Sequence, residues 1–425
     1  MPPVSLTTRP LLSLGLPLAL VLFAPACSSS KSGGQDTPTP DAAPMNEDAS
    51  AGDTEASEAG EPDAPLAPGV TAVSLYSCVP NVYTMPVTVG AEQFQLTIDT
   101  GSTTMAVASK TCTTCTEANP LYTPGSAAVD EHTTATSQYG TGSWTGEIYE
   151  DAVSAGTAPA VPVKFVAIDT QTNFFQAIKC DSKSGGFQGI VGLGQAKSAL
   201  QGTNAFFDQY VATEHVPDIF ALELCDSGGT LWLGGYDPSV TTAAPTYVPM
   251  LTTSIVSPYY YTLNLESITV DGTSVPVATG EYNDAVVDTG TSIFVLPTAA
   301  FTALTNAVAA SPKFTEIIGA GTTASWFASP NNCTSLSQTK AEIDAALPPL
   351  TLVFGSNPAI TVQANATDSY LVSYEGMWCP ALDAMDPSLD FPVAAILGAP
   401  VLKSNLVIID RVNKRVGFAP HKSCP

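Results

Sequence analysis

One short motif occurs twice in the chain. Leu96-Thr97-Ile98-Asp99-Thr100-Gly101-Ser102 returns far downstream as Ala285-Val286-Val287-Asp288-Thr289-Gly290-Thr291-Ser292. A second element repeats in the same order. Gly189-Ile190-Val191-Gly192 follows the first copy, and Ala395-Ile396-Leu397-Gly398 follows the second. A single Asp-x-Gly is ordinary turn chemistry. Two copies, each led by an apolar run and trailed by an apolar-apolar-Gly element, imply an internal duplication. Asp99 and Asp288 are therefore candidate partners, one from each half. Two carboxyls held close cannot both ionise, so such a pair shares a proton and titrates as a unit. One member can then take a proton from a bound water while the other donates one. His132, His215 and His421 are scattered, and this chemistry requires no metal, no other cofactor and no Ser, Cys or His nucleophile.

The residues beside each aspartate suit the same task. Gly101 and Gly290 let the backbone turn tightly next to a carboxylate. The hydroxyls of Ser102 and Thr291 are placed to donate to its outer oxygen, favouring the ionised form. The elements that must carry these motifs read as strands. From about Val70 onward the chain shows short alternating runs, such as Phe94-Gln95-Leu96-Thr97-Ile98 and Tyr261-Thr262-Leu263-Asn264-Leu265, separated by turn residues. That pattern predicts an all-β fold, with short helices only over residues 203–214, 298–310 and 339–347.

The duplicated motifs, with several others in the same order, resemble the pepsin-like aspartic endopeptidases. Tyr139-Gly140-Thr141-Gly142-Ser143-Trp144-Thr145-Gly146 looks like that family's flap hairpin. Phe187-Gln188-Gly189-Ile190, Leu233-Gly234-Gly235-Tyr236-Asp237 and the closing run from Asp410 to Pro420 also match. The resemblance covers residues 75–425. It implies a bilobal acid-protease fold, with an N-terminal lobe over residues 70–250, a C-terminal lobe over 251–425 and the dyad in the cleft between them. By the same resemblance Thr100 and Thr289 bond across the lobes, and Tyr139, Gly140 and Thr141 close over a polypeptide substrate. Phe187 and Ile190 then line the pocket for the residue before the cleaved bond. Bulky apolar residues are the expected cleavage sites. A catalytically silent binding or inhibitor protein on the same scaffold is the alternative, although silent versions usually lose a dyad Asp, its Gly or its hydroxyl partner, and all are present here.

The chain departs from the family pattern in places. Ala106 stands where many members have a Trp that bonds the flap Tyr. Thr97 replaces a bulky apolar residue and implies a roomier or more polar primary pocket. Ala399 stands where strongly acidic-optimum members often carry Asp, which implies an acidic but milder optimum. Family disulfides imply Cys112–Cys115 and Cys333–Cys379; the other four cysteines allow three pairings, of which Cys78–Cys424 with Cys180–Cys225 suits the fold implied, where both chain ends enter the interlobe sheet.

The remaining sequence speaks to location. Residues 11–26 form an apolar run after a single Arg9, too short to span a bilayer comfortably, and read as a signal peptide over residues 1–27. Ala24-Pro25-Ala26-Cys27 fits either an ordinary signal-peptidase site or a bacterial lipobox in which Cys27 is lipidated. Both routes export the chain, as a lipoprotein of the outer membrane or cell surface, or as a periplasmic or secreted protein. Residues 28–69, rich in Ser, Gly, Pro, Ala and acidic residues, read as a disordered spacer. The net charge of −25 with only 14 Lys and Arg leaves no basic face for nucleic acid, and a monomer is expected. Family zymogens usually lay a basic segment over the dyad, yet Lys31 is the only cation between residues 28 and 69. Truncation at about residue 70 is thus expected to leave turnover unchanged; a sharp rise in a peptide-cleavage assay would contradict this.

Overall fold

The computed structural model describes residues 66–422, except for 80, 141, 176–185, 279, 320–322, 356 and 386–392. Candidate residues Cys27, Thr141, Cys180 and Cys424 lie outside the described set, as does the side chain of Cys78.

The fold is bilobal and built mainly from strands, and the two halves repeat one arrangement around each aspartate. Glu92–Asp99 runs parallel to Gly189–Gly192 with Asp99 opposite Gly192. Ala285–Asp288 runs parallel to Ala395–Gly398 with Asp288 opposite Gly398. A third strand crosses each pair antiparallel, bringing Ala106 opposite Ile190 in one half and Val295 opposite Ile396 in the other. Strand alternation decides what each face does. Leu96 and Ile98 are wholly buried in the main core. Thr97 and Asp99 point the other way, toward the face that carries Ile190.

The first of these strand sets belongs to a 13-stranded sheet that also joins the two ends of the described chain. Thr71–Val79 pairs with Gly228–Leu233, and Ile219–Cys225 pairs with Leu406–Asp410. The second half adds a five-stranded and a four-stranded sheet. Helices occur at Phe206–Glu214, Thr298–Ala309 and Lys340–Ala346, within a few residues of the expected spans. The third starts at a capping box between Thr339 and Glu342. Two short helices, Pro312–Ile318 and Ala399–Leu402, were not expected; each is about one or two turns long, too short to show a helical period. Among the described residues no helix is long and apolar enough to cross a membrane.

Cys112 is bonded to Cys115 and Cys333 to Cys379. Cys225 is also disulfide-bonded, while the pairings Cys78–Cys424 and Cys180–Cys225 fall on residues outside the described set. The Cys333–Cys379 bridge spans 46 positions and Cys112–Cys115 only 3. A bridge that closes a longer loop restricts the unfolded chain more. Replacing Cys333 and Cys379 together by Ser is expected to lower unfolding free energy by roughly 4 kcal/mol, against roughly 2 for the Cys112 and Cys115 pair. Denaturant titration of both double variants checks the order.

Candidate active site

The two aspartates meet where the halves meet, and each is fully buried. Their environments are nearly superimposable in kind. The Gly101 amide donates to Asp99 Oδ1 at 2.8 Å, and Ser102 Oγ donates to Oδ2. The Gly290 amide donates to Asp288 Oδ1 at 2.8 Å, and Thr291 Oγ1 donates to Oδ2 at 2.7 Å.

The threonines between carboxyl and glycine exchange bonds across the halves. The Thr100 amide donates to Thr289 Oγ1 at 3.1 Å, and the Thr289 amide donates to Thr100 Oγ1 at 3.0 Å. Each hydroxyl then donates onward into the opposite strand: Thr100 Oγ1 to the Val287 carbonyl at 2.9 Å, Thr289 Oγ1 to the Ile98 carbonyl at 3.2 Å. All four groups are buried, so every broken bond would strand a polar atom away from water.

The carboxyls themselves share a hydrogen bond. Burial raises both groups above the ordinary carboxyl range, and the neighbouring Asp288 charge raises Asp99 further. Donation from Ser102, Thr291 and the glycine amides works in the opposite direction and stabilises the ionised form. The pair therefore keeps its shared proton to a higher pH than an exposed carboxyl would. The geometry presents one proton acceptor and one proton donor side by side. Among the described residues no group of three His, Cys, Asp or Glu is disposed to hold a metal.

Tyr139 sits at the end of a hairpin formed by Val129–Gln138 and Ser143–Ala155. Its amide donates to the Gly142 carbonyl at 2.7 Å, and Gln138 Nε2 braces the turn through the carbonyls of Tyr139 and Gly142. The ring is almost wholly buried. Burial, and then the charge of Asp99, push the phenol well above its ordinary range, while Ser137, Ser102 and Trp144 favour its ionised form. Gly140 is exposed at the tip of the turn.

Phe187 and Ile190 join Tyr139 in one apolar cluster with Ala106, Trp144, Phe174 and Phe175. Tyr139 lies 5.4 Å from Phe174 and 6.2 Å from Trp144, ring centre to ring centre. Ala106 and Trp144 thus lie in the same cluster. Thr97 carries a buried hydroxyl that has no hydrogen-bond partner among the described residues.

On the other half, Tyr260, Val286, Ile293, Val295 and Ile396 form a second apolar cluster. Burial raises the Tyr260 phenol far above its usual range, followed by the charges of Asp288 and Asp99. Trp144, Phe174, Phe175 and Tyr260 were not singled out as site residues in the sequence. The duplication held a signal for the second cluster: Val286 and Ile396 occupy the repeat positions of Thr97 and Ile190.

These features agree with a match along most of the chain. The profile of the eukaryotic aspartyl protease family fits residues 82–421. The chain belongs to that pepsin-like family. By this membership it is a hydrolase of the aspartic-protease class. It is 28% identical to pepsin A of Sus scrofa over 345 residues, covering 78% of each chain. It is 27% identical to pepsin-2B of Gadus morhua over 336 residues, 77% of this chain and 92% of the other. An aspartic protease of Phaffia rhodozyma is 28% identical over 242 residues, 56% of each chain.

Both glycines allow an approach no side chain would. A Cβ on Gly101 would lie 2.6 Å from Asp288 Cγ, and one on Gly290 2.7 Å from Asp99 Cγ. Gly101→Ala or Gly290→Ala is expected to push the carboxyls apart and reduce kcat/KM by at least about 100-fold, the scale set by a misplacement of about 1 Å. Kinetics on a folded variant, verified by circular dichroism, test this; near-normal turnover would show that the contact is not required.

Proposed function

We infer that the protein is an exported aspartic endopeptidase in which Asp99 and Asp288 activate one water between them. The observation that carries this reading is the buried, hydrogen-bonded contact of two like carboxyls, each with the same two donors. In the inferred reaction the ionised carboxylate takes a proton from water as its oxygen bonds to the peptide carbonyl carbon. The protonated carboxyl hands its proton to the carbonyl oxygen. The C–N bond then breaks, with a proton delivered to the departing nitrogen. Thr100, Gly101 and Ser102, with Thr289, Gly290 and Thr291, hold the two groups in register. Tyr139, Gly140 and Thr141 serve as a flap that excludes water from the bound peptide.

The substrate is an extended polypeptide cut between bulky apolar residues. The apolar clusters flanking the dyad, around Phe187 and Ile190 on one side and Val286 and Ile396 on the other, support that preference. The Thr97 hydroxyl makes the first pocket the more polar of the two. We divide the chain into an export signal over residues 1–27, a spacer over 28–69, and lobes over 70–250 and 251–425, with Cys27 as the candidate lipid anchor.

Acidic conditions follow from the shared proton, since the active form must hold one. Ala399 sets the degree. It is buried, and its amide donates to the Thr291 carbonyl at 2.8 Å, so a methyl group, not a further carboxyl, abuts the Asp288 loop. Pepstatin-sensitive cleavage of an unfolded protein is expected between about pH 3 and 6, with the maximum well above pH 2. Asp99→Asn should reduce it at least about 1,000-fold. Cleavage that survives Asp99→Asn would refute the assignment, and a maximum near pH 2 would refute the role given to Ala399.

A further inference from the structure

One segment links the first aspartyl loop to the residues that flank the second aspartyl strand, and one side chain within it makes two of the links. The Leu193 amide donates to the Asp99 carbonyl and the Gly194 amide to the Ser102 carbonyl, both at 2.7 Å. Thr103 Oγ1 donates to the Gln195 carbonyl at 2.8 Å. The backbone of residues 193–195 is thereby fastened to the Asp99 loop. From there it reaches the other half. Gln195 Nε2 donates to the carbonyls of Ser257 at 2.7 Å and Tyr260 at 2.8 Å. Tyr261 Oη returns a bond to the Leu193 carbonyl at 2.7 Å, and the Val287 amide donates to the Tyr261 carbonyl at 3.0 Å. The circuit therefore runs from Asp99 through Gln195 to Tyr260, and from Tyr261 into the strand that ends at Asp288.

We propose that Gln195 is a positioning residue for the hydrolytic site, its amide fastening the backbone of residues 257–260 to the Asp99 loop and so fixing the second aspartyl strand relative to the first. The assignment rests on the hydrolytic reading above. An amide suits the place because both its N–H groups meet backbone carbonyls, which offer only acceptors. Ser198 Oγ and Lys197 support the same loop, through the Tyr259 carbonyl at 2.7 Å and the Tyr259 ring at 4.9 Å. Both act at Tyr259, whereas Gln195 acts at the Ser257 and Tyr260 carbonyls, so its removal loosens that backbone from the Asp99 loop.

Two near-isosteric variants separate positioning from mere support. Gln195→Met keeps length and removes both donors; kcat should fall about tenfold at every pH, the loss expected for one to two hydrogen bonds. Gln195→Glu can donate only while protonated. Facing two carbonyl oxygens, its carboxyl titrates above the usual value, because the charged form is disfavoured there. The Glu variant is therefore expected to work within about threefold of the unsubstituted enzyme at the acidic end of the profile and to lose activity at a lower pH as pH rises. The charged and titratable neighbours in this comparison are Lys197, Tyr259, Tyr260, Asp99 and Asp288, the same in all three proteins.

The experiment is the pH–rate profile of a peptide cleavage with kcat and KM separated, alongside the melting temperature of each protein. A shortened basic limb for Gln195→Glu together with a flat loss for Gln195→Met supports the proposal. Identical profiles for all three proteins overturn it. A loss that tracks melting temperature equally in both variants, without displacement of the profile, also overturns it. Absence of cleavage by the unsubstituted enzyme overturns the hydrolytic reading and this assignment with it.

Discussion

The reciprocal bonding of Thr100 and Thr289 is the interaction on which the rest of the structure depends. Two like carboxyls in a dry site repel once both are ionised, and burial disfavours the charge on either. Something must hold the halves together against that tendency. Each threonine both accepts from the opposite amide and donates into the opposite strand, so the four buried bonds form or fail as a group. The geometry is self-matching because the chain is duplicated: each half supplies what the other lacks. Neither half contains a site by itself.

That constraint explains why most of the structure is sheet. The aspartates must end strands whose positions are fixed to a fraction of an ångström, and central parallel strands buried on both faces provide this. The close packing of Gly101 and Gly290 against the opposite carboxyls follows, since any larger residue would separate the pair. The Tyr139 hairpin packs its ring on Phe174 and Trp144 but leaves Gly140 exposed, a pattern suited to a cover that opens and closes.

Much of this was legible in the sequence, for a physical reason. A duplicated motif with glycine and hydroxyl residues at fixed offsets is dense in backbone and hydrogen-bonding requirements, so few other arrangements use it. Strand alternation likewise exposed which face of residues 94–99 would be core. What stayed hidden depends on distant packing. Trp144 lay in view inside the flap motif, but only the fold shows that it shares an apolar cluster with Ala106. Phe174 and Phe175 look like any apolar pair. Gln195 resembles a surface residue by type, and its partners are backbone carbonyls more than sixty positions away, which no local pattern reveals. The short helices at Pro312–Ile318 and Ala399–Leu402 form where tertiary contacts, not propensity, decide.

An enzyme that needs a shared proton must also stay folded in acid, and the two demands oppose each other at most carboxylates. The dyad itself favours acid: its raised groups contribute stability below the ordinary carboxyl range, lost as pH rises through their folded values. Carboxylates that hold ion pairs must instead resist protonation. Asp226 shows how. Burial raises its carboxyl, but Lys403 and Lys340 together outweigh that and hold it below the ordinary value. Its contribution therefore persists as pH falls until that lowered value is reached. Asp226 pairs with Lys403 and with Lys340 at 2.9 Å, and Lys340 also reaches Asp368 at 2.7 Å. These ion pairs tie the turn after Ile219–Cys225 to elements from the other half, so they support the same alignment as the threonines. With only 14 Lys and Arg in the whole chain, protonation of the surface acids leaves little positive charge to drive the molecule apart. The acidic composition and the proton-sharing dyad thus answer one requirement from two directions.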